Sequence, residues 1–486
     1  PWAGSSPETQ HQENRRGTAW SKMHCRIERI TALYAANMQQ VNLGMIGGGT
    51  VGSGVFHALE LNGGLMASRL GVKIRVRTVA VKALTEPRPY PIPERVMTTD
   101  WQSVVNDPEV HIVTELVGGT TLARTMILAA LRLGKPVITA NKALLSTHGE
   151  ELFEAAKRHG TNLYYEASVC GGIPIIKALR EGLVGNRITH LYGIVNGTCN
   201  YILTRMKLEG IEFDQVLQEA QAQGYAEAEP SLDIDGHDAQ HKIGILASLA
   251  HGFWVAPQDI YVEGIRGITR ADIQFAEKLG YTIKLLGIIK RLGAAPAAAA
   301  KGSKARSHGR SRVQVSVYPT LVPNAHVLAN VNHVFNAVFV RGDVVGDTLF
   351  YGRGAGKDAT ASAVLSDIAD ATLDLKFGTK SRVPPFVPHE PDGEVVSIDE
   401  VVSRYFVRLS VVDVPGTLAR IARIFGDANI GISSVIQPEG HEGESVPLIF
   451  MLHDAPNGAV KGALKRISKL PVLKGEPVSI RVETFE

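Results

Sequence analysis

The sequence predicts an α/β chain that begins with a doubly wound parallel sheet and continues into an α+β domain and a small third module. Between residues 41 and 165, strand-like runs such as "VNLGMIGG" and "KIRVRTVAV" alternate with amphipathic stretches, which is the pattern of parallel strands joined by crossover helices. From residue 166 onwards the predicted strands lengthen. Residues 405–486 show one strand–turn–helix–strand pattern after a Pro-rich linker at residues 376–404.

Each element carries its own signal. In the first domain "VGSGVFHALELNG" and "TTLARTMILAALRLG" have helical spacing, while "HIVTELVG" and "PVITA" are short apolar strands. In the second domain we expect strands at "LYGIVNGTCNYIL" and "RVQVSVYPTLV" and helices at "FDQVLQEAQAQG" and "GHDAQHKIGILASLAHG". The last helix continues into an apolar run that must be mostly buried.

The charge distribution argues against a nucleic acid as partner. The total charge is +3, but residues 290–312 carry seven basic and no acidic residues and residues 1–40 a net +2, which leaves −6 elsewhere. The body of the protein is therefore mildly acidic. Every apolar run is shorter than the roughly 18 residues of a membrane span, so we expect no membrane partner either.

Composition and cysteine usage predict a cytoplasmic protein. Of 486 residues, 44% are hydrophobic and 20% charged, as in ordinary globular proteins. The three cysteines, Cys25, Cys170 and Cys199, are too few for a disulfide framework and fit a reducing compartment.

Two segments look unlike the rest. Residues 1–40 are polar, without periodicity and without the apolar centre of a secretory signal, so we expect a disordered N-terminal extension, with the natural start near Met38. Residues 291–312 are basic, rich in alanine and low in complexity, which predicts a solvated loop inserted between two strands.

The loop "GMIGGGTVGSGV" predicts a Rossmann-type dinucleotide site. Gly47, Gly49 and Gly52 follow a strand and open a helix with G-x-G-x-x-G spacing. The first glycine permits the tight turn, the second lets the backbone approach a pyrophosphate, and the third lets helix and strand pack closely. The free N–H groups of the helix N-terminus then face the anion.

The end of the second strand favours NADP over NAD. An NAD site usually has an acidic residue there for the ribose hydroxyls, whereas this chain has Lys82, with Arg88 nearby. A cation suits a 2′-phosphate. A surface lysine at a strand end is the alternative, so NAD stays open.

A lysine is also expected at the carboxyl edge of the sheet. "PVITANKALLS" ends a strand and starts a helix, which places Lys142 where doubly wound sheets bind ligands. A cation at a helix N-terminus opposes the helix dipole, so a function is favoured over a solvent-facing role.

The segment "GYAEAEPSLDIDGHDAQHK" combines several carboxylates with one lysine. Asp238 and Lys242 are four residues apart and share a helical face. Because Lys242 directly precedes "IGILASLA", it is a candidate for a partly buried general acid rather than one half of an exposed ion pair. Burial lowers the pKa of a lysine and carboxylates raise it, so the sequence leaves the net direction open.

Together these motifs resemble homoserine dehydrogenase over nearly the whole chain from about Val41. The matching pieces are "GGGTVGSGV", "TANKALL", "YEASVCGGIPII", "VNGTCNYIL", "GYAEAEPSLDIDGHDAQHK", "FNAVFVRGD" and "FYGRGAG". The resemblance implies an NAD(P)H-dependent enzyme that interconverts L-aspartate-4-semialdehyde and L-homoserine. It also implies a nucleotide-binding domain at 41–165, a catalytic domain at 166–340 and a segment at 341–375 that returns to the first domain.

The resemblance assigns roles to individual residues. Lys242 matches the proton donor and Asp238 the substrate-binding aspartate beside it. Glu227 and Asp233 match further substrate-binding carboxylates, and Lys142 a lysine at the junction of cofactor and substrate. The cofactor-binding backbone matches at Gly49, Thr50, Val51, Gly224 and Gly354.

Two further sites are implied in the same way. In "EASVCGGI" the family binds a monovalent cation, usually sodium, with Glu166 and the backbone carbonyls of Val169, Gly171 and Ile173 as ligands. The C-terminal "VVDVPGTLARIARIF" resembles an ACT domain, an amino-acid-sensing module with a ferredoxin-like fold. Threonine is the expected effector, although a purely oligomeric role in a homodimer or homotetramer is the alternative. The candidate effector residues are Asp413, Gly416, Leu418 and Gln437.

Two other function classes stay open. A semialdehyde dehydrogenase that forms a thioester would need Cys170 or Cys199 as nucleophile. A non-catalytic amino-acid sensor would need only the ACT module, but Lys142, Asp238 and Lys242 argue against it.

Overall fold

The computed structural model describes residues 38–293, 311–438 and 444–485. The predictions for residues 1–37 and for most of the basic insert, residues 294–310, lie outside the described residues. Within these ranges, no helix has the length and apolar character to cross a membrane.

The first sheet is parallel throughout and has six strands in the order β3-β2-β1-β4-β5-β6. This is the strand order of a dinucleotide-binding sheet, so the predicted Rossmann-type fold is confirmed. The carboxyl ends of β1 and β4, where the order reverses, form the expected ligand crevice. The elements are β1 (Gln40–Ile46), α1 (Thr50–Leu70), β2 (Lys73–Ala80), β3 (Met97–Thr98), α2 (Trp101–Asn106), β4 (Ile112–Glu115), α3 (Thr121–Arg132), β5 (Val137–Thr139), α4 (Lys142–Arg158) and β6 (Leu163–Tyr164).

A second, mixed sheet forms the α+β domain. Its strands follow the order β12-β11-β7-β9-β10, with long antiparallel pairs in the middle. The elements are α5 (Ile175–Lys177), β7 (Ile188–Ile194), α6 (Gly197–Glu209), α7 (Phe213–Ala222), α8 (Ser231–Ile234), α9 (His237–His251), β8 (Tyr261–Val262), α10 (Arg270–Lys278), β9 (Tyr281–Leu292), β10 (Arg312–Pro323), β11 (Phe335–Gly342), β12 (Gly346–Arg353) and α11 (Lys357–Lys376).

Helix α9 lies against this sheet, as its apolar run predicted. Ile243 to Ala247 are all buried. A Cβ atom on Gly287 of β9 would lie 2.2 Å from the Ile243 side chain, so the absence of a side chain there lets the helix approach the sheet closely. The close approach buries Lys242, the residue before Ile243.

The long strand predicted at "LYGIVNGTCNYIL" is wrong in its second half. β7 ends at Ile194 and α6 begins at Gly197. The Asn196 side chain accepts a hydrogen bond from the Cys199 N–H, which is the geometry of a helix N-cap. The apolar residues after it are therefore helical.

The third module has the ferredoxin-like order β17-β14-β16-β15 with two helices. Its last strand also pairs in parallel with β10, Thr320 opposite Arg481, so the two sheets are continuous. The elements are β13 (Glu394–Val395), β14 (Val402–Val412), α12 (Thr417–Asp427), β15 (Ile432–Ile436), β16 (Ser445–Pro456), α13 (Asn457–Ile467) and β17 (Val478–Val482).

The segment after β12 leads back to the first domain. Gly54 of α1 leaves room for the Lys357 carbonyl, which would lie 3.1 Å from a Cβ at that glycine. The hairpin of β11 and β12 spans the predicted boundary at residue 340, and the predicted linker contributes β13 to the edge of β10. The exact domain boundaries stay predictions.

Candidate active site

A cavity of about 540 Å³ lies where the carboxyl edge of the first sheet meets the second domain. It is lined by Val51 from the glycine loop, Lys142 from the start of α4, and residues of α6 and α9. Of the predicted site residues, it brings together Val51, Lys142, Gly171, Gly224, Asp233, Asp238, Lys242 and Gly354.

Asp238 joins two lysines. Its Oδ2 atom accepts a hydrogen bond from the Lys242 Nζ at 2.7 Å, and its Oδ1 atom lies 3.2 Å from the Lys142 Nζ. The Lys242 ammonium also donates to the Val195 carbonyl at 2.6 Å. Lys242 thus has two donors occupied and one N–H left for a substrate.

Asn196 completes the arrangement. Its Nδ2 atom donates to Asp233 at 2.7 Å and to Asp238 at 2.9 Å, so one amide orients both carboxylates. This residue was not predicted, because "VNGT" continues a strand-like run in the sequence. The signal was an asparagine immediately before a helix, where its side chain caps the first turn.

The charges in the site determine its protonation. Burial alone lowers the pKa of Lys242, but the adjacent Asp238 carboxylate raises it, and the net direction is upward. Burial likewise opposes ionisation of Asp238, yet Lys242 and Lys142 hold the pKa of that carboxyl below its usual range. Burial and the Asp238 charge raise the pKa of Asp233. Lys242 is therefore an ammonium at neutral pH, as a proton donor requires.

The glycine loop fits a dinucleotide. Gly47 has φ +108°, and a Cβ there would lie 2.6 Å from the Leu116 backbone. At Gly52 a Cβ would lie 1.9 Å from the Gly47 carbonyl oxygen. Apart from its two chain neighbours, no atom of the described residues lies within 4 Å of a Cβ placed on Gly49, so the space before the α1 N-terminus is open to a phosphate. The positive φ at Gly47 and the close contact at Gly52 agree with a tight turn and close packing, while the pyrophosphate contact of Gly49 stays a prediction.

Three family models match successive parts of the chain. They are the homoserine dehydrogenase NAD-binding domain at residues 47–166, homoserine dehydrogenase at residues 174–369 and the ACT domain at residues 405–472. The homoserine dehydrogenase of Pseudomonas aeruginosa is 41% identical, with 92% of this chain and 99% of the relative covered. That of Synechocystis is 42% identical over 91% and 99%. The chain belongs to the homoserine dehydrogenase family.

Solved structures agree with this assignment. The homoserine dehydrogenase of Thiobacillus denitrificans has a TM-score of 0.83 at 41% identity, covering 92% of this chain and 99% of its own. A hyperthermophilic archaeal homoserine dehydrogenase in complex with NADPH has a TM-score of 0.56 at 27% identity, over 70% of this chain and 100% of its own. The chain is thus an NAD(P)-dependent oxidoreductase that interconverts L-aspartate-4-semialdehyde and L-homoserine.

Several predicted site residues are not part of the cavity wall: Gly47, Gly49, Thr50 and Gly52 of the glycine loop, and the side chains of Glu227, Lys82 and Arg88. Glu227 is exposed just beyond Gly224, and Lys82 is exposed at the end of β2. Arg88 donates to the carbonyls of Leu84, Glu86 and Ala83, so its terminal nitrogens are engaged by its own loop.

A buried carboxylate supports the cofactor side of this homoserine dehydrogenase. Glu115, at the end of β4, accepts hydrogen bonds from the Val117 and Gly118 N–H groups and from the Thr139 hydroxyl. It fixes the loop after β4 beside the crevice. This glutamate was not predicted, because "HIVTELVG" has only the pattern of an apolar strand.

The candidate sodium loop has an unusual backbone. Cys170 has φ +54° and Gly171 φ +31°, so two successive residues are left-handed and curl the chain. Both carboxylate oxygens of Glu166 accept N–H groups, from Ile176 and Lys177 at the start of α5. The Glu166 carboxylate thus accepts two N–H groups at the start of α5, while its backbone carbonyl accepts the Val169 N–H at 3.4 Å.

The two described cysteines do not suit a thioester mechanism. Burial raises the pKa of Cys170 to about 11 and that of Cys199 well above its usual value. A nucleophilic cysteine needs a depressed pKa. The family assignment and this geometry both disfavour the thioester-forming alternative.

The candidate effector residues of the ACT domain lie at one edge of its sheet. Asp413 follows β14, Gln437 follows β15, and these parallel-running strands end at the same side. Gly416 has φ +87° and precedes α12, whose residue Leu418 is exposed.

Proposed function

We propose that Lys242 is the proton donor of this enzyme and that Asp238, Asp233 and Lys142 hold the substrate beside it. The observation that carries the proposal is the chain of ion pairs Lys142–Asp238–Lys242 in a cavity that Val51 of the glycine loop also lines. Asn196 supports it by fixing both carboxylates.

The reduction needs one hydride and one proton. A nicotinamide cofactor held beside Val51 of the glycine loop would supply the hydride to the aldehyde carbon. The remaining N–H of Lys242 protonates the oxygen as charge develops on it, which yields the primary alcohol. Lys142, with its side chain partly exposed, polarises the same oxygen or contacts the substrate carboxylate. Asp238 keeps Lys242 charged between turnovers.

The substrate ammonium binds to carboxylates in this proposal. Asp233 lines the cavity, and Glu227, which is exposed and follows the lining residue Tyr225 by two positions, is assigned to the ammonium as well. Gly47, Gly49, Thr50, Val51, Gly52, Gly224 and Gly354 form the proposed cofactor-binding backbone.

NADP is the proposed cofactor. Lys82 stands at the end of β2 and its ammonium has no ion pair with a described residue, so it is available for a 2′-phosphate. The archaeal relative bound to NADPH is consistent with this preference. Arg88 donates its guanidinium hydrogen bonds to loop carbonyls, so we assign it a smaller role than Lys82 in binding the 2′-phosphate.

The decisive experiment is homoserine oxidation and semialdehyde reduction by wild type and Lys242→Met, each with NADP(H) and NAD(H). We expect kcat of the variant to fall by about 10²- to 10⁴-fold, since a positioned general acid contributes that much. The wild type should prefer NADP(H). Turnover of the variant at the wild-type rate would overturn the proton-donor role, and equal kcat/KM for both cofactors would overturn the preference.

Three regulatory and cellular features complete the proposal. Sodium binds at the carbonyls of Glu166, Val169, Gly171 and Ile173. Threonine binds at the ACT edge formed by Asp413, Gly416, Leu418 and Gln437 and inhibits the enzyme. The protein acts in the cytoplasm as a homodimer or homotetramer, supported by two unpaired buried thiols and by the ACT module, a type that commonly pairs into larger sheets.

A further inference from the structure

Lys284 is a buried lysine that the proposed mechanism does not use. It lies on the central strand β9, and only 1% of its surface is exposed. Among the described residues it forms no ion pair with a carboxylate; its Nζ atom donates instead to the Asn200 Oδ1 at 3.1 Å, the Val331 carbonyl at 2.5 Å and the Asn332 Oδ1 at 3.2 Å. Three neutral oxygens thus take up its three N–H groups.

These contacts join two parts of the active-site wall. Asn200 belongs to the first turn of α6, whose N-cap is Asn196, the residue that orients Asp233 and Asp238. Val331 and Asn332 belong to the loop before β11. Lys284 therefore bridges the catalytic end of α6 to this loop.

The loop itself reaches the cavity. The Asn200 amide also donates to the carbonyls of Val331, His333 and Phe335, at 3.0 to 3.1 Å. Between these anchors His333 takes a left-handed φ of +57°. The next residue, Val334, lines the cavity, and its carbonyl oxygen lies 3.0 Å from where a Cβ on Gly197 would be.

Burying the Lys284 ammonium in this position costs desolvation free energy. Burial, with a smaller effect from Lys207, lowers the pKa of Lys284 to about 7. A methionine would fill similar space without the desolvation penalty, so the contribution of the lysine lies in its three directed hydrogen bonds. Such bonds fix positions rather than add net stability.

We propose that Lys284 is a positioning residue for substrate binding. It fixes the start of α6 relative to the Val331–Val334 loop, so that Asn196 orients Asp233 and Asp238 towards the substrate ammonium. This inference rests on the substrate-binding roles proposed for the two aspartates. It predicts that loss of Lys284 weakens binding of the amino-acid substrate and leaves binding of the nucleotide, on the other side of the cavity, nearly unchanged.

The test compares Lys284→Met with Lys207→Met. Lys207 lies on α6, the helix that carries Asn200, and donates to the Thr282 hydroxyl at 2.8 Å, but among the described residues it makes no hydrogen bond to the loop. Lys284→Met should raise KM for aspartate semialdehyde about ten-fold, because small misplacements of binding groups cost one to two orders of magnitude. Its KM for NADPH should stay within about two-fold, and Lys207→Met should leave both constants near wild type.

A milder variant covers the case in which Lys284→Met fails to fold. Asn332→Ala removes one acceptor from the partly buried loop and should raise KM for the semialdehyde about two- to three-fold. Combined with Lys284→Met it should add little, because both changes break the same contact. Thermal unfolding of each variant separates lost stability from lost positioning.

The results discriminate between this inference and the proposed function. A folded Lys284→Met enzyme with wild-type KM overturns the inference, as does an unchanged KM in Asn332→Ala or an equal loss in Lys207→Met. An Asp238→Asn enzyme with wild-type turnover would instead overturn the proposed site, whatever Lys284→Met does. An inactive Asp238→Asn enzyme beside an unaffected Lys284→Met enzyme refutes the positioning role alone.

Discussion

The pKa values of the two buried lysines, Lys242 and Lys284, shift in opposite directions because their neighbours differ. Lys242 has a carboxylate at 2.7 Å, and its pKa is raised although it is buried. Lys284 has only neutral acceptors, and burial lowers its pKa. Sequence spacing predicted the first environment, since Asp238 and Lys242 are one helical turn apart. It gave no sign of the second, because Asn200 and Val331 are 84 and 47 residues away from Lys284.

His251, the last residue of α9, predicts acid sensitivity of the fold. It is fully buried, neither ring nitrogen has a hydrogen-bond partner among the described residues, and burial lowers its pKa to about 3. The unfolded state therefore binds a proton from about pH 6.5 downwards while the folded state does not. The stability that the neutral histidine provides is complete above pH 6.5 and is lost as the pH falls towards 3.

His251→Phe should remove this loss, because phenylalanine fills the site without a titrating group. Chemical unfolding at several pH values between 7 and 4 would measure it: below pH 6.5 the free energy of unfolding should fall less steeply, by up to about 1.4 kcal/mol per pH unit. His159→Phe, at the exposed C-cap of α4, is the matched control and should follow the wild type. Parallel curves for wild type and His251→Phe would contradict the prediction.

At the scale of elements, the sequence predicted those whose pattern is local. The apolar run after Lys242 located α9, and the glycine spacing located the turn between β1 and α1. The β7–α6 junction was wrong because β-branched and aromatic residues on both sides of Asn196 suit either structure. The role predicted for Glu166 was incomplete. Its hydrogen bonds to the start of α5 depend on how the intervening loop curls through Cys170 and Gly171.

That curled loop makes the sodium proposal testable. Backbone carbonyl oxygens are ligands that hard cations accept, and the left-handed Cys170 and Gly171 curl the segment that carries the proposed carbonyls. Replacing sodium by tetramethylammonium at constant ionic strength should lower the reduction rate several-fold, with recovery on adding sodium back. Sodium-23 NMR relaxation gives a readout independent of activity. Equal rates in both salts, with unbroadened sodium resonances, would refute the site.

At the scale of the whole molecule, the ACT domain is joined to the catalytic domain by a continuous sheet and by an ion pair between a buried arginine and a partly exposed glutamate. Arg481 of β17 donates to Glu263 at 3.0 and 3.2 Å. The next residue, Gly264, packs so closely on the turn before α9 that a Cβ would lie 2.3 Å from the Ile234 carbonyl oxygen. Asp233 precedes Ile234. None of this was predictable from local pattern, because β10 and β17 are some 160 residues apart.

This connection predicts how a threonine signal reaches the site. Threonine titrated into the assay should inhibit the wild type. Glu263→Gln should weaken that inhibition at least several-fold, because the path from β17 to the turn before α9 loses its ionic contact. The kcat of the variant without threonine should stay near wild type. Asp427→Asn removes an exposed ion pair with Arg466 inside the ACT domain and serves as control, with inhibition unchanged. If threonine has no effect on the wild type, its role as effector is refuted. If Glu263→Gln and the wild type are inhibited equally, only the proposed path through Glu263 is refuted, because coupling between two sites must be carried by contacts that differ between the two states.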